Sequence, residues 1–185
     1  MLSHVIRHTN EKSTNPQLWY QEALQLHSVL EAFTAAVMQE LQHINQDPTA
    51  FGGFLGLLPI IGLCCSAQLN LYDAHTCAEA DNTSGVGIPE QLEIQRVALN
   101  SIKKVCFSVS DLASRINGIV DSDESKTLSP LATDCLYQAG KYILWYIQET
   151  SKLELMTLVK EIKDALDKIS RFWTVASKCS ARTNR

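Results

Sequence analysis

His4 and His8 lie four residues apart, a spacing that would set two imidazoles on one face of a helix, as a metal ion requires. They sit in a polar N-terminal stretch with no cysteine or carboxylate partner at ligand spacing, so no metal site is expected there. Cys64, Cys65, His75 and Cys77 form a denser group. Adjacent cysteines chelate one zinc poorly, and Cys64-Cys65 fall inside the most apolar segment of the chain. They read as small core residues. Glu90, Glu93 and Asp111, or Asp134 and Glu149, could be paired on paper as acid and base. Carboxylates on helix faces are mostly solvated, and those in a first turn complement the helix dipole. No histidine accompanies them at useful spacing. The chain carries no nucleophile elbow, zinc-protease helix, phosphate loop or dinucleotide fingerprint, and Gly85-Val86-Gly87 lacks the third glycine and preceding strand. No catalytic, cofactor-binding, metal or DNA-binding residue is therefore assigned, and no cofactor is expected.

The elements that would position such residues are helices. Asn15-Pro16 opens a long one, with Trp19, Ala23, Leu26, Leu30, Phe33, Val37, Leu41 and Ile44 advancing by three or four. Asp47-Pro48 breaks it. Residues Phe51 to Ala67 are apolar, punctuated by four glycines and Pro59, and slightly short of the about 20 residues a membrane span needs. Without flanking Lys or Arg anchors, the segment reads as a buried helix kinked at Pro59, brought back towards solvent by Gln68, Asn70 and Asp73. The expectation is purification without detergent. Asp81 to Pro89 is a loop by composition, and Pro89 begins a helix carrying Ile94, Ala98, Ile102, Val105, Val109, Leu112 and Ile116 to Asn117-Gly118. An acidic linker, Asp121 to Lys126, leads to Ser129-Pro130, a capped start. The helix from Pro130 to about Glu149 is followed by one from Leu153 to about Lys178, opened by a Ser151/Glu154 capping box. Trp173 completes its stripe of Leu155, Leu158, Ile162, Leu166, Ile169 and Ala176 and is expected in the core. Trp145-Tyr146 and Phe172-Trp173 are expected where helices meet. No segment alternates like a strand. The fold class is all-α, a single irregular bundle of about five or more long helices. Residues 1–15 are expected to be a disordered lead-in, 16–179 a helical domain and 180–185 a disordered tail.

Composition narrows function by exclusion. With 185 residues and 45% hydrophobic content the chain suits one packed domain, and its 19% charged content is below the usual ~25%. Sixteen basic against twenty acidic residues give a net charge of −4. Without a basic patch, for which Lys103-Lys104 is too short, direct nucleic-acid binding is not expected. Six cysteines with no Cys-x-x-Cys spacing suggest free, mostly buried thiols in a reducing compartment.

Three stretches resemble a known family: Ser129-Pro130-Leu131, then Leu136-Tyr137-Gln138-Ala139, then Arg171-Phe172-Trp173-Thr174-Val175-Ala176. Upstream, Glu93-Ile94-Gln95, Ala98-Leu99, Ser108 and Asp111-Leu112-Ala113, and before them Pro59, Leu71-Tyr72-Asp73 and Cys77, extend the likeness over roughly Leu57 to Cys179. Together they resemble the C-terminal regulatory region of fungal zinc-cluster transcription factors. The six-cysteine zinc cluster of that family is missing, so no DNA or zinc ligand carries over, and Gly140 replaces the usual second Ala after Leu-Tyr-x-Ala. The resemblance implies a nuclear regulatory domain controlling a biosynthetic or metabolic gene cluster. Its partners would be proteins of the transcription machinery or a second copy, with no membrane and no enzyme activity. The alternative is a free-standing helical interaction domain or a remnant without a transcriptional role.

Overall fold

The computed structural model describes residues 2–11, 15–45, 51–76, 89–119, 128–171 and 173. Among them are six α-helices and no strand: α1 (Leu2–Asn10), α2 (Pro16–Asn45), α3 (Phe51–Thr76), α4 (Pro89–Gly118), α5 (Thr133–Thr150) and α6 (Met156–Ser170). Single 3₁₀ turns, Pro130–Ala132 and Leu153–Leu155, precede the last two. The all-α expectation holds. The loop from residue 81, the acidic linker at 121–126, Phe172 and the tail at 180–185 lie outside the described residues.

The lead-in is corrected. Residues Leu2–Asn10 form a helix with Val5 and His8 buried and Leu2 packed on the core. Arg7 and His8 in its last turn suit the negative end of the helix dipole. Leu2, Val5 and His8 recur every three residues, a face that polar composition conceals because a histidine stands where a hydrophobe is expected.

Asn15 Oδ1 accepts the Gln17 N–H at 3.1 Å and Pro16 follows it, so α2 opens with a side-chain cap and a residue that has no N–H to lose. Its inward stripe is Trp19, Ala23, Leu30 and Leu41, joined by Tyr20; Phe33, expected on that stripe, is 43% exposed. Helix α3 runs through the middle, touching α1, α2, α4, α5 and the Pro130 turn, with Pro59 inside it. By length and composition α3 could cross a membrane; in this fold most of its apolar window is covered by neighbouring helices. It continues past its expected return to solvent: Gln68 is buried, and Tyr72 and His75 are almost fully so.

At Gly62 the backbone of the Pro130 turn comes so near that an added Cβ would lie 2.8 Å from Ala132 Cα and 2.9 Å from Leu131 O. The turn is fixed by Ser129 Oγ, which accepts the Leu131 N–H at 3.2 Å, as the sequence suggests. Helix α4 lays Ile94, Ala98, Val105, Val109, Leu112 and Ile116 on the core. Its C-terminus is tied to α6: Asn117 Nδ2 donates to Glu161 O at 2.8 Å, and Lys168 Nζ donates to Asn117 O and Ile119 O. A cation on the last carbonyls of a helix satisfies groups that have no partner within it.

Four further expectations are corrected at the C-terminal end. Ser151 does not open the last helix. It closes α5 in a left-handed conformation (φ 56°), its N–H bonded to Ile147 O at 2.7 Å. The sharp turn between antiparallel neighbours needs a positive φ more than it needs a cap. Helix α6 stops at Ser170, short of the expected Lys178, and Trp173 is 42% exposed instead of buried in the core. Its ring instead ties down the segment entering the Pro130 turn, Nε1 donating to Leu128 O at 2.8 Å. Trp145, expected at a helix junction, is 54% exposed.

Candidate functional site

The densest group of chemically capable side chains lies where α1, α2 and α3 meet. His8, fully buried, points its Nδ1 at the Glu22 carboxylate (3.0 Å) and its Nε2 at His75 Nε2 (3.1 Å). An ionised carboxylate only accepts, so Nδ1 of His8 carries a hydrogen. In the neutral ring Nε2 is then bare and accepts from His75 Nε2–H. That leaves His75 Nδ1 as a buried lone pair, and among the described residues no group bonds to it.

Aromatic rings enclose the chain of groups. Trp19 stacks on His8, with centroids 5.0 Å apart and 11° between planes, and lies 4.4 Å from His75. Its Nε1 donates to the His8 carbonyl at 3.0 Å, holding the end of α1 in place. Tyr20 meets His75 edge-on at 6.0 Å. Burial, and secondarily the neighbouring His8, pulls His75 down to about 4. Histidine at that value is neutral over the physiological range.

A second polar group bridges α2, α3 and α4. Tyr72 Oη and His27 Nδ1 share a hydrogen bond of 2.9 Å. Burial pushes the Tyr72 phenol up to about 12 and draws the His27 imidazole below its ordinary value. A phenol so raised is a poor base and a poor nucleophile at neutral pH. The pairing is structural, satisfying a hydroxyl on a fully buried ring. Beside it, Thr34, Met38, Gln68, Asp111 and Arg115 help to line a cavity of about 30 Å³, room for about two waters, well below the about 300–1,000 Å³ of ligand pockets.

Cys64, Cys65, Cys106 and Cys135 are free and buried. Burial raises all four thiols, Cys65 and Cys106 to about 12. Thiolates are the nucleophiles and the ligands, so these are inert core groups. The sign of their contribution is fixed: the folded chain keeps protons that the unfolded chain loses above about pH 9, so this stability is complete below 9 and lost as pH climbs towards 12. Tyr72 adds to the loss above about 10. Thermal midpoints are expected to be level from about pH 7 to 8.5 and to fall steeply by 10.5; a level profile throughout would contradict the buried-thiol picture.

Sequence reasoning weighed His8 only with His4, and His75 only with the cysteines. The structure separates both groupings: His4 is exposed, and His75 faces His8 across 67 positions. Cys77 lies outside the described residues. Glu22 of α2 is the third member. Glu90 accepts from Gln17 at 2.9 Å and Gln21 at 3.1 Å, while Glu93 and Asp111 pair within α4 with Arg96 and Arg115; none of these carboxylates forms an acid–base pair. Among the described residues, no group of three or more His, Cys, Asp or Glu is placed to hold a metal ion. No protein-family model matches the sequence, and no curated protein or solved structure matches it.

Proposed function

We propose that this chain is a non-catalytic helical regulatory domain, of the kind found in fungal zinc-cluster transcription factors, working in the nucleus through protein contacts. The observation that carries the reading is the order of elements at its C-terminal end. A Ser-capped Pro-Leu turn feeds the Leu136-Tyr137-Gln138-Ala139 helix, which a last amphipathic helix follows. Exposed apolar side chains around the α5–α6 junction, Trp145, Leu153 and Met156, suit a protein-binding role. They equally suit the second reading, a free-standing interaction domain without a transcriptional task. DNA contact would come from another polypeptide segment or a partner, because this chain is acidic overall.

Tethering separates the two readings. The full chain fused to a heterologous DNA-binding domain is expected to change a reporter's transcription severalfold in a fungal cell, in either direction. A reporter unmoved by a well-expressed nuclear fusion would remove the transcriptional reading.

A further inference from the structure

We propose that His8 and His75 form a proton-operated latch that holds α1 on α2 and α3, so that mild acid releases α1 and uncovers the Trp19–Tyr20 face. In the neutral pair every N–H has an acceptor: Glu22 takes the His8 Nδ1 hydrogen and His8 Nε2 takes the one from His75. One more proton breaks this account. Placed on His8 Nε2, it forces His75 to carry its hydrogen on Nδ1, a buried atom with no partner among the described residues. Placed on His75 Nδ1, it leaves that same partnerless atom as a donor and creates a cation inside an aromatic cage. A second proton would set two imidazolium rings with nitrogens 3.1 Å apart.

The surrounding groups do little to relieve this. From α2, Glu22 can stabilise charge on His8, but its other oxygen is shared with Arg7 of α1 at 3.7 Å. Tyr20, also from α2, presents a ring edge, and Trp19 is neutral. On α3, Asp73 is exposed, as are His4 on α1 and Glu11 just beyond it. Burial opposes a proton on His75, and a proton on the neighbouring His8 would oppose it further.

Released, His75 returns towards the ordinary histidine value of about 6.5, whereas docked it stays at about 4. The docked state therefore binds fewer protons between those limits. Docking is full above about pH 6.5 and weakens by up to tenfold per pH unit as acid is added. α1 is suited to leave as a unit. It is nine residues long and is joined to α2 by residues 11–15, and Val5, Leu2 and the Trp19 bond to the His8 carbonyl are its other anchors.

Hydrogen exchange on the full chain reads the latch directly. After correction for intrinsic rates, amide protection in α1 is expected to fall roughly eightfold from about pH 7 to 5.5, while α5 and α6 keep theirs. His75→Gln, whose amide can still donate to His8 Nε2 but cannot titrate, is expected to flatten that slope. Ring NMR of the unaltered chain needs no variant to fold: His75 protonation and loss of α1 protection should share one midpoint. A level α1 profile, equal slopes in the two proteins, or a charged His75 under a still-protected α1 would each overturn the latch.

Discussion

Gly62→Ala is expected to destabilise the fold by about 2–4 kcal/mol, although glycine to alanine inside a helix ordinarily stabilises by about 1 kcal/mol. The reversal comes from what the new methyl would meet. Ala132 Cα at 2.8 Å and Leu131 O at 2.9 Å are backbone atoms of the Pro130 turn, which cannot swing aside as a side-chain tip can. Either α3 moves off the core or the Ser129 cap is broken. Gly56→Ala is the matched control, since it lies on the same helix with nothing within 4 Å of an added Cβ. That change is expected to raise the urea midpoint slightly. If both substitutions raise it, the close approach at Gly62 is not as described.

Tyr72→Ala carries the other large expected effect, a loss of about 3–5 kcal/mol. Tyr72 is among the largest fully buried side chains, and it fills the space where α2, α3 and α4 converge. Tyr72→Phe keeps the volume and removes the hydroxyl with its bond to His27 Nδ1 and its interactions with Ser101 and Gln68, so about 1 kcal/mol should be lost. Because His27 is only half-buried, water can replace that lost partner. Denaturant midpoints at constant slope separate the packing and hydrogen-bond parts. Equal losses for the two variants would mean that the hydroxyl network, and not the ring, holds these helices together.

The long helices were legible because their signals are local. Pro16, Pro89 and Pro130 mark starts, and the three-four spacing of Trp19, Ala23 and Leu30, or Ile94, Ala98 and Val105, follows the helix period. The candidate site was not legible, because its logic is non-local. Nothing near His8 in sequence announces a partner 67 residues on, and a buried histidine resembles a solvated one until its acceptor is known. Ser151 failed for a different reason. Ser-x-x-Glu fits a cap by pattern, but the chain needed a left-handed residue there, and the turn geometry prevailed. Trp173 depended on where α6 stops, and helix ends are set by tertiary fit more than by periodicity.

The seat of Gly62 against Ala132 has a consequence for how the chain is made. A ribosome adding about 5–20 residues per second reaches Ala132 several seconds after Gly62 has been joined. During that interval the most apolar helix of the chain lacks the turn that later rests on it, and α5 and α6 do not yet exist. Nascent chains of this sequence should therefore be clients of cotranslational chaperones chiefly while the segment from α3 to α5 is being synthesised.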